Sequence, residues 1–189
     1  MRRVLMSQQG RFSLGPNIDH KQGAKMSRSD DYINFIFSRI EDKAFRTAFK
    51  HADNEAFIWN AYPYIRNFVN IENETDARLY VLIGSAIIKS GQKENGKCGL
   101  GNAFWRIYNK DYDSTEFPPR FKRILAADNL DEILSILRPS LALIRSKDIP
   151  LDFKKLLSEL NKYRFDGSRN QVRAAWASDY FNKGEEENE

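Results

Sequence analysis

The sequence predicts an all-α fold of about nine helices, arranged as two small bundles packed together. Three observations predict it. Apolar residues recur at helical spacing in most of the chain; after Asn129, for example, Leu130, Ile133, Leu134, Leu137, Leu141 and Ile144 fall within roughly a 100° arc at helical pitch. Only four valines occur, and no apolar/polar alternation runs beyond a few residues, so a sheet has little to build on. Capping residues, prolines and glycines stand at the ends of the apolar stripes, where helices start and stop.

Ser29 begins the first helix, with Asp30 and Asp31 in the first turn and Ile33, Ile36, Phe37 and Ile40 on its apolar face. Phe45, Ala48, Phe49 and Ala52 mark the second. A short third spans Phe57 to Tyr62 and ends near Pro63, because a proline ring disfavours helical geometry in the residue before it. Thr75 opens the longest helix of the first half, which turns Leu79, Leu82, Ile83, Ala86 and Ile87 inward and stops at Gly91. The loop Gln92 to Gly99 leads to a helix on Leu100, Ala103, Phe104 and Ile107, and the polar stretch Asn109 to Phe117 reads as a linker.

In the second half, Pro118-Pro119 starts a helix through its preset torsions, and Asn129 with Glu132 resembles a capping box. Pro139 is expected to kink the helix that follows. Asp152 caps a helix carrying Phe153, Leu156, Leu157 and Leu160, and Asp166-Gly167 turns the chain into a last helix on Val172, Ala175, Trp176 and Tyr180. The expected division is a flexible basic segment at 1–28, an N-terminal bundle at 29–112, a C-terminal bundle at 113–184 and an acidic tail at 185–189.

A chain of 189 residues with 41% apolar content can bury a core. It has no run of 18 apolar residues and no secretory leader pattern at its start, so a cytoplasmic protein without membrane contact is expected. The lone Cys98 cannot form an internal disulfide, which agrees with a reducing compartment. Four of the 26 acidic residues lie in the last five positions, and removing them raises the formal charge from +4 to +8. Residues 1–28 hold +5 of that excess, so any case for nucleic acid in the folded part rests on where its cations sit.

No catalytic constellation is visible. Two histidines and one cysteine lie far apart, without HExxH or paired CxxC spacing, so neither a zinc site nor any other cofactor is expected and the chain reads as no enzyme. The run Gly96-Lys97-Cys98-Gly99-Leu100-Gly101 lacks the ending and the preceding strand of a P-loop. Its glycine amides and Lys97 either touch a nucleic-acid phosphate at the start of the next helix or simply form a glycine-rich approach to it. Arg120, Lys122 and Arg123 stand in the first turns of a helix, where each cation opposes the dipole by about 0.3 to 1 kcal/mol unless an anion is present. They suit either phosphate or a solvated face. Arg138 and Arg145 flank the long apolar arc, with stems positioned to pack and heads held in place.

The order and spacing of several elements resemble the CasB family, the small subunit of type I-E CRISPR Cascade. They are Phe49-Lys50-His51-Ala52, similar to the family's leucine-basic-basic-alanine element, and Gly99-Leu100-Gly101-Asn102-Ala103-Phe104, Arg120-Phe121, Ile124-Leu125-Ala126-Ala127-Asp128 and Leu137-Arg138. Ile149-Pro150-Leu151-Asp152-Phe153, Val172-Arg173, Trp176-Ala177 and Asp179-Tyr180-Phe181 complete the series. The resemblance adds Lys50 and Arg173 to the candidate cations and supports Arg138; Arg138 and Arg173 each suit either nucleic acid or an internal carboxylate pair. It departs from the pattern at His51, mostly neutral at pH 7, and at Pro119 and Ala126, where relatives can carry arginine.

The resemblance implies a non-catalytic, sequence-independent nucleic-acid-binding subunit. Its partners would be the backbone and large subunits of Cascade, a second copy of itself, CRISPR RNA, and the target and displaced DNA strands. The candidate contacts are Lys50, Lys97, Arg120, Lys122, Arg123, Arg138 and Arg173. The alternative is a free-standing helical DNA-binding regulator, for which the 168–182 helix with Arg169, Asn170, Gln171 and Arg173 is the only recognition-helix candidate.

Overall fold

A computed structural model describes residues 28–108 and 116–182; the expected N-terminal arm up to 27, most of the expected linker and the acidic tail lie outside the described residues. The first helices are α1 (Arg28–Ser38), α2 (Lys43–Lys50), a 3-10 segment (Glu55–Asn60), α3 (Tyr62–Ile65) and α4 (Glu74–Ser90). They are followed by α5 (Leu100–Tyr108), α6 (Pro119–Ala126), α7 (Leu130–Arg145), α8 (Phe153–Tyr163) and α9 (Asp166–Phe181). The fold is all-α, with nine α-helices and one 3-10 segment among the described residues.

The ends obey local chemistry. Asp42 caps α2 by accepting from the amides of Ala44 (3.0 Å) and Phe45 (3.1 Å), and Asn73 caps α4 through the Asp76 amide. Gly91 ends α4 at φ 74°, the left-handed conformation that glycine adopts without a Cβ penalty. Asn129 accepts from the Glu132 amide at 2.8 Å; Glu132 reaches back one residue further than a capping box requires, to the Asp128 amide. Asp152 caps α8.

Several boundaries differ from the sequence reading: α1 begins at Arg28, one residue before Ser29, and ends short of Ile40, and α2 ends short of Ala52. Pro63 stands in the first turn of α3 rather than ending a helix, because the orphan N–H it lacks is not needed there. Asp166 and Gly167 belong to α9, whose N-cap is Phe165. Asn73, two residues before Thr75, caps α4 and leaves the Thr75 hydroxyl to donate to Asp131 at 3.0 Å. Pro139 sits inside α7, which continues to Arg145.

α4 is the centre of the molecule. Its residues 79 to 85 are all buried, the mark of a helix covered on every side. The Tyr32 hydroxyl donates to the Tyr80 carbonyl (2.6 Å) and the Ser85 hydroxyl to the Phe49 carbonyl (2.6 Å), which ties α1 and α2 to it. Around this axis the halves interlock: α7 packs on α4, α8 on α1, and α9 on α5. The buried side chains of segments 29–112 and 113–184 therefore form one cluster. Loop 92–99 is stitched to the residues before α8 by Gly96 N–H to the Leu151 carbonyl (3.1 Å) and Asp152 N–H to the Cys98 carbonyl (2.8 Å).

Candidate nucleic-acid interface

α2 buries Phe45 and Phe49, and its opposite face carries Lys43, Arg46 and Lys50, one cation per turn. Beside it run the last turns of α4 and α7, which bring Lys89 and Arg145. Together these helices form an open groove of about 560 Å³ lined by Lys43, Arg46, Thr47, Lys50, Ile88, Lys89 and Arg145, with no carboxylate among the lining residues. Lys43, Arg46, Lys50 and Arg145 are exposed, and no acidic side chain pairs with them among the described residues.

The groove is bounded by Asp53. Its carboxylate, 12% exposed, takes Lys89 Nζ at 2.7 Å and Arg138 Nε at 3.5 Å, so both cations are fixed by an internal anion. Beyond it lies a charge-balanced region in which Arg78 meets Glu55 (3.2 Å) and Asp131 (3.3 Å).

The remaining sequence candidates scatter over other surfaces. Arg123 on α6 and Lys97 in loop 92–99 are exposed and carry no ion pair among the described residues. Lys122 pairs with Glu116 at 3.4 Å across an exposed surface, a contact of small energetic weight. Arg120 is half-buried and donates to the Pro139 carbonyl at 3.4 Å, joining α6 to α7.

Arg173 meets an internal carboxylate, the second of the two places open to it. Its guanidinium donates to the Ala127 carbonyl, to Asp128 (3.1 Å), to the Tyr163 hydroxyl (3.3 Å) and to Asn170 (3.2 Å), and it lies over the Tyr163 ring at 5.8 Å. The bond to Tyr163 is the main reason its pKa rises above the usual arginine value. Ala127 leads into α7, so Arg173 is a fastener between α9 and the α6–α7 connection. Arg169 is likewise bound to Asp166 (2.6 Å), which leaves the 168–182 helix without the free arginines that a recognition helix needs.

The glycine run is a packing device. Asp179 of α9 places its carboxylate over the start of α5 and accepts from the Asn102 amide at 3.0 Å, filling the position a phosphate would take. A Cβ at Gly99 would overlap that carboxylate, and one at Gly101 would overlap the Trp176 carbonyl oxygen. Lys155 pairs with Asp179 at 3.2 Å; burial opposes its charge, but Asp179, Glu159 and Asp152 together outweigh burial and its pKa is raised. A polar cleft of about 970 Å³ opens alongside, with Lys97 on its wall.

Sequence reasoning placed Lys50 and noted Arg145 but passed over Lys43 and Arg46. The available signal was the stretch from Lys43 to Ala52, which has cations at i, i+3 and i+7 and no acid. Among the described residues no group of His, Cys, Asp and Glu is placed to hold a metal, and no helix is long and apolar enough to cross a membrane.

Comparison with known proteins gives a consistent set of relatives. A family model described as CRISPR-associated protein Cse2 matches residues 46–181. The CRISPR-associated protein Cse2 of Thermus thermophilus is 30% identical over 174 residues, 87% of this chain and 96% of that protein. A crystal structure of a Cse2-family CRISPR-associated protein, also from Thermus thermophilus, superposes with TM-score 0.66 at 22% identity, covering 82% of this chain and 99% of the other. A chain of a solved CRISPR RNA-guided surveillance complex superposes with TM-score 0.61 at 17% identity, covering 82% and 92%. At those identities the two structures establish the shared fold.

Proposed function

The chain belongs to the CRISPR-associated Cse2 family, the CasB small subunit of type I-E Cascade, and on that premise we propose that it is a non-catalytic subunit steadying the guide RNA and the target and displaced DNA strands through phosphate contacts. Such a subunit works in the cytoplasm beside the backbone and large subunits and a second copy of itself. In RNA-guided complexes base pairing reads the sequence, and protein reads charge and shape.

The observation that carries this reading is the groove of α2, α4 and α7. Four exposed cations without acidic partners among the described residues face one channel there, a costly arrangement of like charges unless an anion fills it. Lys43, Arg46, Lys50 and Arg145 are the principal phosphate contacts in this reading. Arg123 and Lys97, without an ion pair among the described residues, and Lys122 and Arg120, which have internal partners, are secondary contacts on other surfaces, and Arg138 is held by Asp53. Arg173 acts on the fold and supports binding only indirectly.

Such a site reads no base edges, so affinity should fall steeply with salt and be indifferent to sequence. The test is binding of the full chain to unrelated single strands of equal length at two salt concentrations. A preference above about tenfold, or about 1.4 kcal/mol, for one strand would sink the reading and return the regulator to favour.

A further inference from the structure

Across Asp53 from the cationic groove, the 3-10 segment Glu55–Asn60 has a period of three residues. That period turns Ile58 and the following Ala61 inward and leaves Phe57 and Trp59 outward, 46% and 58% exposed, with ring centroids 6.4 Å apart. On the Ile58 side of this segment, between it, α4 and α7, lies a pocket of about 220 Å³. Its apolar wall is Ile58, Val81, Leu82 and Leu134, and Arg78, Arg138, Asp53 and Glu55 form its charged rim.

Resting on the subunit role proposed above, we propose that this pocket and the Phe57–Trp59 edge are a docking site for another protein subunit, one that presents a bulky apolar side chain beside a lysine or arginine. The volume falls below the range of about 300 to 1,000 Å³ usual for small-molecule sites and suits one inserted side chain. The rim discriminates against phosphate, because each of its arginines already pairs with a carboxylate: Arg78 with Glu55 and Asp131, Arg138 with Asp53. Its most accessible charge is negative, with the Glu55 side chain 76% exposed, so a cation complements it. Exposed Phe57 and Trp59 flank Ile58, which lines a small apolar pocket with two arginines on its rim, and aromatic and arginine side chains of this kind dominate binding energy at protein interfaces.

Two variants of the full chain test the site: Phe57→Ser with Trp59→Ser, and Ser135→Arg, which crowds the pocket rim from an exposed position. Each is co-expressed with the other subunits of its surveillance complex and compared with the unaltered chain for retention, melting temperature, sedimentation and affinity for an unrelated single strand. The expected result is at least tenfold weaker retention, with melting temperature and strand affinity unchanged. Undiminished retention of both variants overturns the inference while the proposed function stands. A matching loss of strand affinity assigns the edge to nucleic acid, and a self-association of the isolated chain that both variants abolish assigns it to a second copy; either overturns the inference. Failure of the unaltered chain to be retained overturns the proposed function and this inference with it.

Discussion

Replacing Lys43, Arg46, Lys50 and Arg145 together with alanine isolates the groove. Each cation that neutralises one phosphate contributes about 0.7 to the slope of log affinity against log salt on a single strand, so the quadruple variant should lose about 2.8. Between 50 and 200 mM salt that amounts to about 50-fold less salt sensitivity than the unaltered chain. The structure also bounds the cost to the fold. All four side chains are exposed and make no ion pair among the described residues, and surface changes of that kind stay within about 0.5 kcal/mol each. The proper contrast is Arg173→Ala, which removes a guanidinium bonded to the Ala127 carbonyl, Asp128 and Tyr163 and 23% exposed. Losing those bonds should cost about 2 kcal/mol, a fall of about 4–8 °C in melting temperature for a chain of this size, with the salt slope intact. Binding by fluorescence anisotropy across a salt series, with circular dichroism melts of the same preparations, checks both. A slope change below about 0.7 in the quadruple variant, or an unchanged melt for Arg173→Ala, would refute this division between free and fastened cations.

Gly101→Ala forces a Cβ against the Trp176 carbonyl and the Tyr180 amide, both backbone, so α5 and α9 must part; the variant should be destabilised by about 3 kcal/mol or more, read as a lowered melting temperature. Glu159 gives a pH dependence. Burial raises its pKa above the usual value of about 4.5, although the Trp176 indole N–H donates to it at 2.6 Å and Lys155 stands nearby. The folded chain therefore binds that proton more tightly than the unfolded chain. Its contribution is fully present below pH 4.5 and is lost as pH rises through the raised folded value. Glu159→Gln keeps an acceptor for Trp176 and should melt at least as high as the unaltered chain at pH 7, the difference shrinking toward pH 4; a larger advantage at pH 4 would contradict the assignment.

Much of this molecule was decided by local rules that a sequence exposes. The arc from Leu130 to Ile144 is a helix because its spacing matches the helical pitch, and Asn129, Asp152 and Gly91 end helices because short acceptors and a missing Cβ suit those positions wherever they occur. The all-α class and the family resemblance follow from such local marks in order.

What a cation does depends on residues far along the chain, and only the folded structure brings those together. Arg173 and Arg145 look alike in sequence, each beside an apolar stripe. Arg173 meets a carbonyl 46 positions away and becomes a fastener, whereas Arg145 comes up beside Lys50 and stays without an acidic partner among the described residues. The glycines at 99 and 101 resemble a phosphate cradle until α9 sets Asp179 and the Trp176 carbonyl where the phosphate would be. Helical period is a property of neighbours three and four residues apart and survives in any context. Pairing of charges is a property of distance in space, and for this chain it was settled when α7, α8 and α9 packed onto α4, α1 and α5.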